Sequence, residues 1–343
     1  MRRPTHPQVP ADRSSLDRPA TVEIDLSGAI LSIRRDEPVV LTVQSESSDG
    51  RFDSLPSGPF TPLQHRTLDL GLRSWVSEQT NLDLGYVEQL YTFADRGRHA
   101  RETETGPHVV SIGYLALTRL QDDTDRSVIG LGQWRSWYDF FPWEDWRGSK
   151  PAVLTDSIEP LLVEWSRRPD GHATTSRPLA RIDRIRMAFG VDRGAWDEER
   201  VLDRYELLYE AGLVMEARRD GREAALSWGE VPRLGQPMQF DHRRILATAV
   251  GRLRGKIKYR PVVFELMANE FTLFELQKTV EAILGPHLHK QNFRRLVESA
   301  GLVEPTGDVR VKTGGRPAKL YRFRPEVVLE RPAPGVRVKP GRS

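Results

Sequence analysis

The chain has 343 residues, a formal net charge of +3, 38% hydrophobic residues and no cysteine. That length allows two domains and a sizeable core, and the missing thiols exclude a disulfide scaffold and any thiolate metal site. The small net charge hides a split: His242 to Ser343 carries 21 Lys and Arg against 9 Asp and Glu, whereas residues 1–241 carry 30 against 39. An acidic body with a basic end points to a polyanion partner for that end alone. No apolar run reaches membrane-spanning length, and Met1-Arg2-Arg3-Pro4-Thr5 does not open a secretory signal. The expectation is a soluble cytoplasmic protein with no membrane partner.

Residues 1–19 are rich in Pro, Arg, Ser and Asp without apolar periodicity, the composition of a disordered N-terminus. Val22, Ile24 and Leu26 alternate, Ala29 to Ile33 continues the run, and Val39 to Val43 is compactly apolar. With the charged turn Arg34 to Pro38 between them, these predict two paired strands. Ser45 to Pro62 carries five Ser with Gly and Pro and reads as a loop. Leu68, Leu72, Trp75 and Val76 put one apolar face on a helix over 68–80, and strands follow at Val87 to Phe93 and Val109 to Leu117. The loop between those strands carries Arg96, Arg98, His99 and Arg101. Such side chains can receive phosphate, although a solvated charged loop is the simpler account.

Gln133 to Trp146 holds half of all the Trp in the chain. Large aromatics usually bury, so core packing is preferred here to stacking on a ligand's adenine. Three helical stripes follow: Ile158, Leu161, Leu162, Trp165; Leu179, Ile182, Ile185, Arg186; and Val201, Leu202, Tyr205, Leu208, Tyr209, ended by Gly212. The role of this segment stays open between dimer contacts, a lid and structural bulk. Ile245, Ala249, Leu253 and Ile257 then mark a helix over 242–258 that also bears Arg243, Arg244, Arg252, Arg254, Lys256 and Lys258. It connects the body to the basic end and is a candidate dimer seam.

Phe271 to Phe323 reads as a winged helix-turn-helix. Thr272 and Glu275 have capping-box spacing, Leu276, Val280, Ile283 and Leu284 form one apolar stripe, and Gly285-Pro286 stops the helix. A second helix starts near Lys290, with Phe293, Leu296, Val297 and Ala300 inward and Gly301 as a left-handed cap. Gln291, Asn292, Arg294 and Arg295 remain outward, side chains that reach base edges and phosphates from a major groove. Val309 to Lys312 and Lys319 to Phe323 alternate around Thr313-Gly314-Gly315-Arg316-Pro317, a hairpin whose polar face is wholly basic and whose tip offers Arg316 to a minor groove. The expected DNA contacts are therefore Lys290, Gln291, Asn292, Arg294, Arg295, Lys312, Arg316 and Lys319. The bland alternative is a small structural cap with solvated charges.

Strands, loop, helix and strands in this order resemble the Nudix fold. Leu55-Pro56-Ser57-Gly58-Pro59-Phe60 looks like its entry turn, Glu78-Gln79-Thr80-Asn81-Leu82 like the end of the Nudix box, and Leu90 to Asp95 like the segment of Nudix proteins of NAD metabolism. With the helix-turn-helix added, the chain resembles the Nudix-related transcriptional regulators of NAD metabolism (the NrtR-like family), and best their longer, NadQ-like branch. There Phe240 to Leu246 corresponds to the opening of the last Nudix helix. Phe271 to Leu284, Asn292 to Arg295, Gly301 to Gly307 and Gly315 to Ala318 match the DNA-binding region. The implied fold is α+β, a Nudix-like α/β/α sandwich with a helical insertion, followed by a C-terminal winged helix-turn-helix. Its parts fall at 20–150 (sensor), 151–237 (insertion), 238–260 (last Nudix helix and connector), 261–328 (winged helix-turn-helix) and 329–343 (a mobile basic tail).

Departures from the Nudix pattern bear on chemistry. Pyrophosphate hydrolysis needs several Glu side chains on one helix to hold magnesium and activate water. Aligned from Asn81-Leu82, the Arg-Glu pair of the box falls on Ser74-Trp75 and the Glu-Glu pair on Glu78-Gln79. The earlier Glu falls near Gln64 or Arg66. Only Glu78 is left, as a residual ligand or simply a solvated helix residue. The expectation is no hydrolase, no catalytic or metal-ligating set and no required cofactor. The resemblance implies instead an adenine-nucleotide effector (ADP-ribose, NAD or ATP), with Arg96, Arg98, His99, Arg101, Glu78 and the backbone at Gly58 as candidate contacts. It further implies a repressor of NAD-biosynthesis or salvage genes that binds double-stranded operator DNA as a homodimer. The rivals are an active Nudix pyrophosphatase with an accessory DNA domain and an architectural nucleic-acid-binding protein.

Overall fold

The computed structural model describes residues 21–47, 50–95, 98, 107–120, 128–129, 131–168, 179–191, 194–230, 233–311 and 317–336. The body is one mixed sheet. Strand β1 (Val22–Arg34) turns into β2 (Glu37–Ser47) through Arg35 and Asp36, both at positive φ (51° and 62°), the left-handed pair that a two-residue hairpin turn requires. Strands β3 (Gly50–Ser54) and β4 (Ser57–Pro59) add to β2 and β1 respectively. The serine-rich stretch expected to be a loop thus contains two short strands. Its polar composition conceals them because each only extends a ladder already started by an apolar strand.

Helix α1 (Leu68–Thr80) precedes β5 (Tyr86–Phe93) and β6 (His108–Leu117), and β6 runs parallel to β1. Strands β7 (Val128–Ile129) and β8 (Gly132–Ser136) complete the order β5-β6-β1-β2-β8-β7. Because β1 is central, residues 25–32 along it are buried without interruption, the pattern of a strand covered on both faces. One face meets Leu72 and Val76 of α1 through Leu26, Ile30, Val39 and Leu41. The other packs Ala29, Leu31 and Leu115 with Ile245, Ala249 and Leu253 of α8 (His242–Ile257). This is the α/β/α sandwich.

Between the two halves run the aromatic segment, with α2 (Trp137–Phe140), and the insertion. The insertion holds α3 (Glu159–Arg167), α4 (Arg181–Phe189), α5 (Val201–Glu210), α6 (Met215–Arg219) and α7 (Glu223–Leu226). Trp134, Trp137 and Trp143 are fully buried, so this cluster is core. Most of α8 is also buried, leaving Arg252 exposed among its side chains. The sheet and the insertion already occupy most of α8, which leaves little of its surface for the dimer seam expected there. The C-terminal unit is α9 (Leu273–Leu284), α10 (Lys290–Ser299), the antiparallel pair β9 (Val303–Arg310) and β10 (Ala318–Phe323), and α11 (Val327–Glu330). Residues 331–336 are not a loose tail. Val336 is buried and its N–H donates to Ile257 O at 2.8 Å, docking the chain on the end of α8.

Candidate nucleic-acid interface

Helix α9 starts with both bonds of the capping box: Glu275 N–H donates to Thr272 Oγ1 at 3.2 Å and Thr272 N–H to Glu275 Oε2 at 2.8 Å. It ends at Gly285, whose φ of 96° disfavours a side chain. The turn into α10 is set by a buried polar pair that periodicity does not reveal. Gln277 Nε2 donates to Leu288 O at 2.9 Å and to Glu281 Oε1 at 2.8 Å, while Leu288 N–H donates to Glu281 Oε1 at 2.9 Å. Burial acts to raise the Glu281 carboxyl, but these bonds and the Lys278 ammonium hold it below the usual carboxylate range.

Phe293 and Val297 anchor α10 inward, which turns Lys290, Gln291, Asn292, Arg294 and Arg295 to solvent. None of these five makes an ion pair or side-chain hydrogen bond among the described residues. Lys290 with Arg294, and Gln291 with Arg295, stand one turn apart on that open face. The wing is joined to α9 by reciprocal Phe271–Tyr321 backbone bonds of 2.9 and 2.8 Å. Lys319 is exposed on β10, whereas Lys312 and Arg316 lie outside the described residues. The wing's polar face is not wholly basic. Strand β9 begins six residues earlier than its alternation suggests, so it carries Glu304, which binds Arg322 at 2.6 Å, while Arg310 pairs with Glu275.

Of the expected effector contacts, Arg96, His99 and Arg101 lie outside the described residues. Arg98 is buried rather than open to phosphate. Its Nη1 donates to Glu206 Oε1 of α5 at 3.1 Å, and its guanidinium lies 3.6 Å from the Tyr209 ring centroid. It also stands 4.0 Å from Asp241, whose carboxyl burial pushes up to about 6 despite Arg98 and Arg244. Gly58 faces α1 instead, under Trp75: a Cβ there would lie 2.3 Å from the indole. Trp75 Nε1 donates to Pro59 O at 3.0 Å, and Gln79 Nε2 to Ser57 O at 2.8 Å, so these two side chains fasten α1 to β4. Glu78 points outward and accepts from Ser74 Oγ at 2.8 Å. Among the described residues no three His, Asp or Glu side chains group as metal ligands.

Body and interface meet at a wholly buried ion cluster. Arg204 of α5 binds both Glu144 oxygens, at 2.5 and 2.9 Å, and Arg254 of α8 binds Glu144 Oε2 at 2.5 Å. Arg254 Nε also donates to Ile283 O at the end of α9, at 2.8 Å. Burial acts to lower the Arg254 guanidinium, but the Glu144 charge more than offsets it and the group stays firmly protonated. Sequence reasoning missed this cluster. One signal was present: Arg243, Ala247, Val250 and Arg254 share a helical face, so the two arginines continue an apolar stripe.

The body has a Nudix-like fold, and the chain continues from it into a winged helix. Residues 263–323 match the family model of the NrtR DNA-binding winged helix domain. Over 86 residues, 25% of this chain, the sequence is 44% identical to the ADPR responsive transcriptional repressor NtrR of Acinetobacter baylyi. That match spans about a third of the repressor's length (34%). The crystal structures of Shewanella oneidensis NrtR, free and complexed with a 27mer DNA, share the fold with a TM-score of 0.52 at 21% identity. They cover 89% of this chain and 95% of theirs. Among the described residues no helix is long and apolar enough to cross a membrane.

Proposed function

We propose that this chain is a DNA-binding transcriptional repressor of NAD-biosynthesis or salvage genes, with a Nudix-fold body that senses an adenine nucleotide without hydrolysing it. The observation that carries this reading is the open row on α10, five polar or cationic side chains with no ion pair or side-chain hydrogen bond among the described residues, on a helix whose other face is anchored. Paired residues would have to give up a partner to meet DNA; these do not. The relative's name, ADPR responsive repressor, makes ADP-ribose the first effector to test. The absence of turnover rests on Trp75 and Gln79, which bond to β4 where a hydrolase needs metal-binding carboxylates, leaving Glu78 alone. A homodimer on a palindrome, with half-sites about one turn or roughly 10 bp apart, would supply the contacts that one recognition helix lacks. With most of α8 covered, that dimer forms through other surfaces of the body.

The test is fluorescence anisotropy on an operator selected from a random duplex library, against a scrambled duplex, with ADP-ribose titrated in and phosphate-bond cleavage followed with magnesium. The expected result is salt-dependent preference for the operator, an affinity that changes with ADP-ribose, and no cleavage. Equal binding to both duplexes would refute the regulator. Magnesium-dependent turnover lost in Glu78→Gln would restore the pyrophosphatase.

A further inference from the structure

A cavity lies in the helical insertion, away from the α1 face. It measures about 780 Å³ between α6, α7 and β3, a volume typical of small-molecule sites. Leu213, Val214 and Leu234 make it apolar, with Phe52 of β3 among the lining side chains. Arg218, Arg219 and Arg233 line it too, against the single acid Glu230. None of the three arginines forms an ion pair among the described residues. Arg218 donates to Gly229 O at 3.4 Å and Arg233 to Gln236 Oε1 at 2.6 Å, both neutral acceptors. The Arg219 Nε–H is shielded from water and has no hydrogen-bond partner. Apolar walls with guanidinium groups that form no ion pair among the described residues suit an amphipathic anion, because guanidinium pairs best with the planar or tetrahedral oxygens of carboxylate and phosphate.

The same cleft grips the start of α8. Arg219 donates to Met238 O at 3.0 Å and to Phe240 O at 3.2 Å, and Phe240 is held at a φ of 51°. Leu234 O accepts from Arg243 of α8 at 2.5 Å, while Met238 N–H donates to Glu216 at 3.0 Å. An occupant would therefore press on residues that fix the first turn of the helix that carries Arg254.

We infer that this cleft is a ligand site for a small organic anion, an apolar or planar body with a carboxylate or phosphate head, and that occupancy is felt at the start of α8. The site is independent of the DNA-binding reading. It is tested on the full chain by calorimetric titration with AMP, benzoate and inorganic phosphate, in parallel with the double variant Arg218→Ala, Arg233→Ala. Both side chains are exposed, so the variant should keep the parent's circular dichroism and Tm. AMP or benzoate should bind, and whichever binds identifies the head group. Inorganic phosphate should bind about tenfold more weakly or worse, and the double variant should lose about tenfold or more in affinity for the organic anion. Failure of both organic anions to bind, or equal binding to parent and variant, overturns the site. Phosphate binding as tight as either organic anion overturns the apolar half of the assignment. Hydrogen exchange supplies the second readout: residues 240–246 should gain protection with ligand in the parent. Unchanged protection on a bound parent overturns the link to α8.

Discussion

Arginine appears in two opposite settings only one helix apart. At the body's centre, Arg204 and Arg254 are fully buried around Glu144, with every charge answered by a carboxylate or carbonyl. On α10, Arg294 and Arg295 are exposed and unanswered. Desolvating a guanidinium is costly unless its partners are complete, so the buried set acts as one unit that tolerates no single loss. The exposed set lacks such partners, and its free donors suit phosphates and base edges. The difference teaches that the arginines of this chain form two populations. One holds α5, α8 and α9 together, and the other remains available to a polyanion.

The largest expected effect is on the buried population. Glu144→Gln leaves two buried guanidinium groups without a counter-charge and should destabilise the fold by about 3–5 kcal/mol, read as a lowered urea midpoint. Replacing all three by Met, Leu and Met should cost far less, because it removes the charges rather than stranding them. A loss below about 1 kcal/mol in Glu144→Gln would break the comparison, since both populations would then behave as surface charge.

A pH effect follows at the Arg98 cluster. The Asp241 carboxyl titrates at about 6 in the fold against an ordinary 3.8. The native state therefore binds the extra proton, and stability is lost as pH rises from about 4 through about 6, by on the order of 2–3 kcal/mol. Asp241→Asn should flatten that part of the profile, measured as unfolding free energy at pH about 4.5 and about 7.5. A profile identical to the parent's would place the titration elsewhere.

Next come the exposed arginines. Arg294→Ala and Arg295→Ala should each leave stability within about 0.5 kcal/mol. Whichever of them reads guanine should lose about 1–3 kcal/mol of operator affinity, with one base position relaxed. If both lose operator and scrambled binding equally, this helix clamps phosphate and does not read bases. The smallest effect belongs to the wing: Lys319→Ala should weaken binding to all sequences alike and reduce the log–log salt slope by about 0.9. An unchanged slope would remove Lys319 from the interface.

How far the sequence carried differs between the two ends of the chain. The winged helix was legible almost residue by residue, since a capping box, i,i+4 stripes and a glycine stop are local. Three of the five insertion helices (α3, α4 and α5), α1, α8 and the main strands were legible for the same reason. The short strands β3 and β4 were not, because ladder addition is decided by a neighbour distant in the chain. Nor was the wing's true start, since the cross-strand pair of Arg322 with Glu304 makes the polar face mixed rather than basic.

By itself, then, the sequence determined the order of elements and the pairing of a Nudix-like body with a winged helix. Tertiary structure alone decided which charges are free. Glu144 lies 60 residues before Arg204 and 110 before Arg254, Arg98 lies 108 residues before its partner Glu206, and Trp75 covers Gly58 across 17 positions. Periodicity reports which face of an element is apolar, a property of a few neighbouring residues. Burial of a charge depends on what folds over it from elsewhere, and in this chain the insertion and the aromatic segment are what fold over α8.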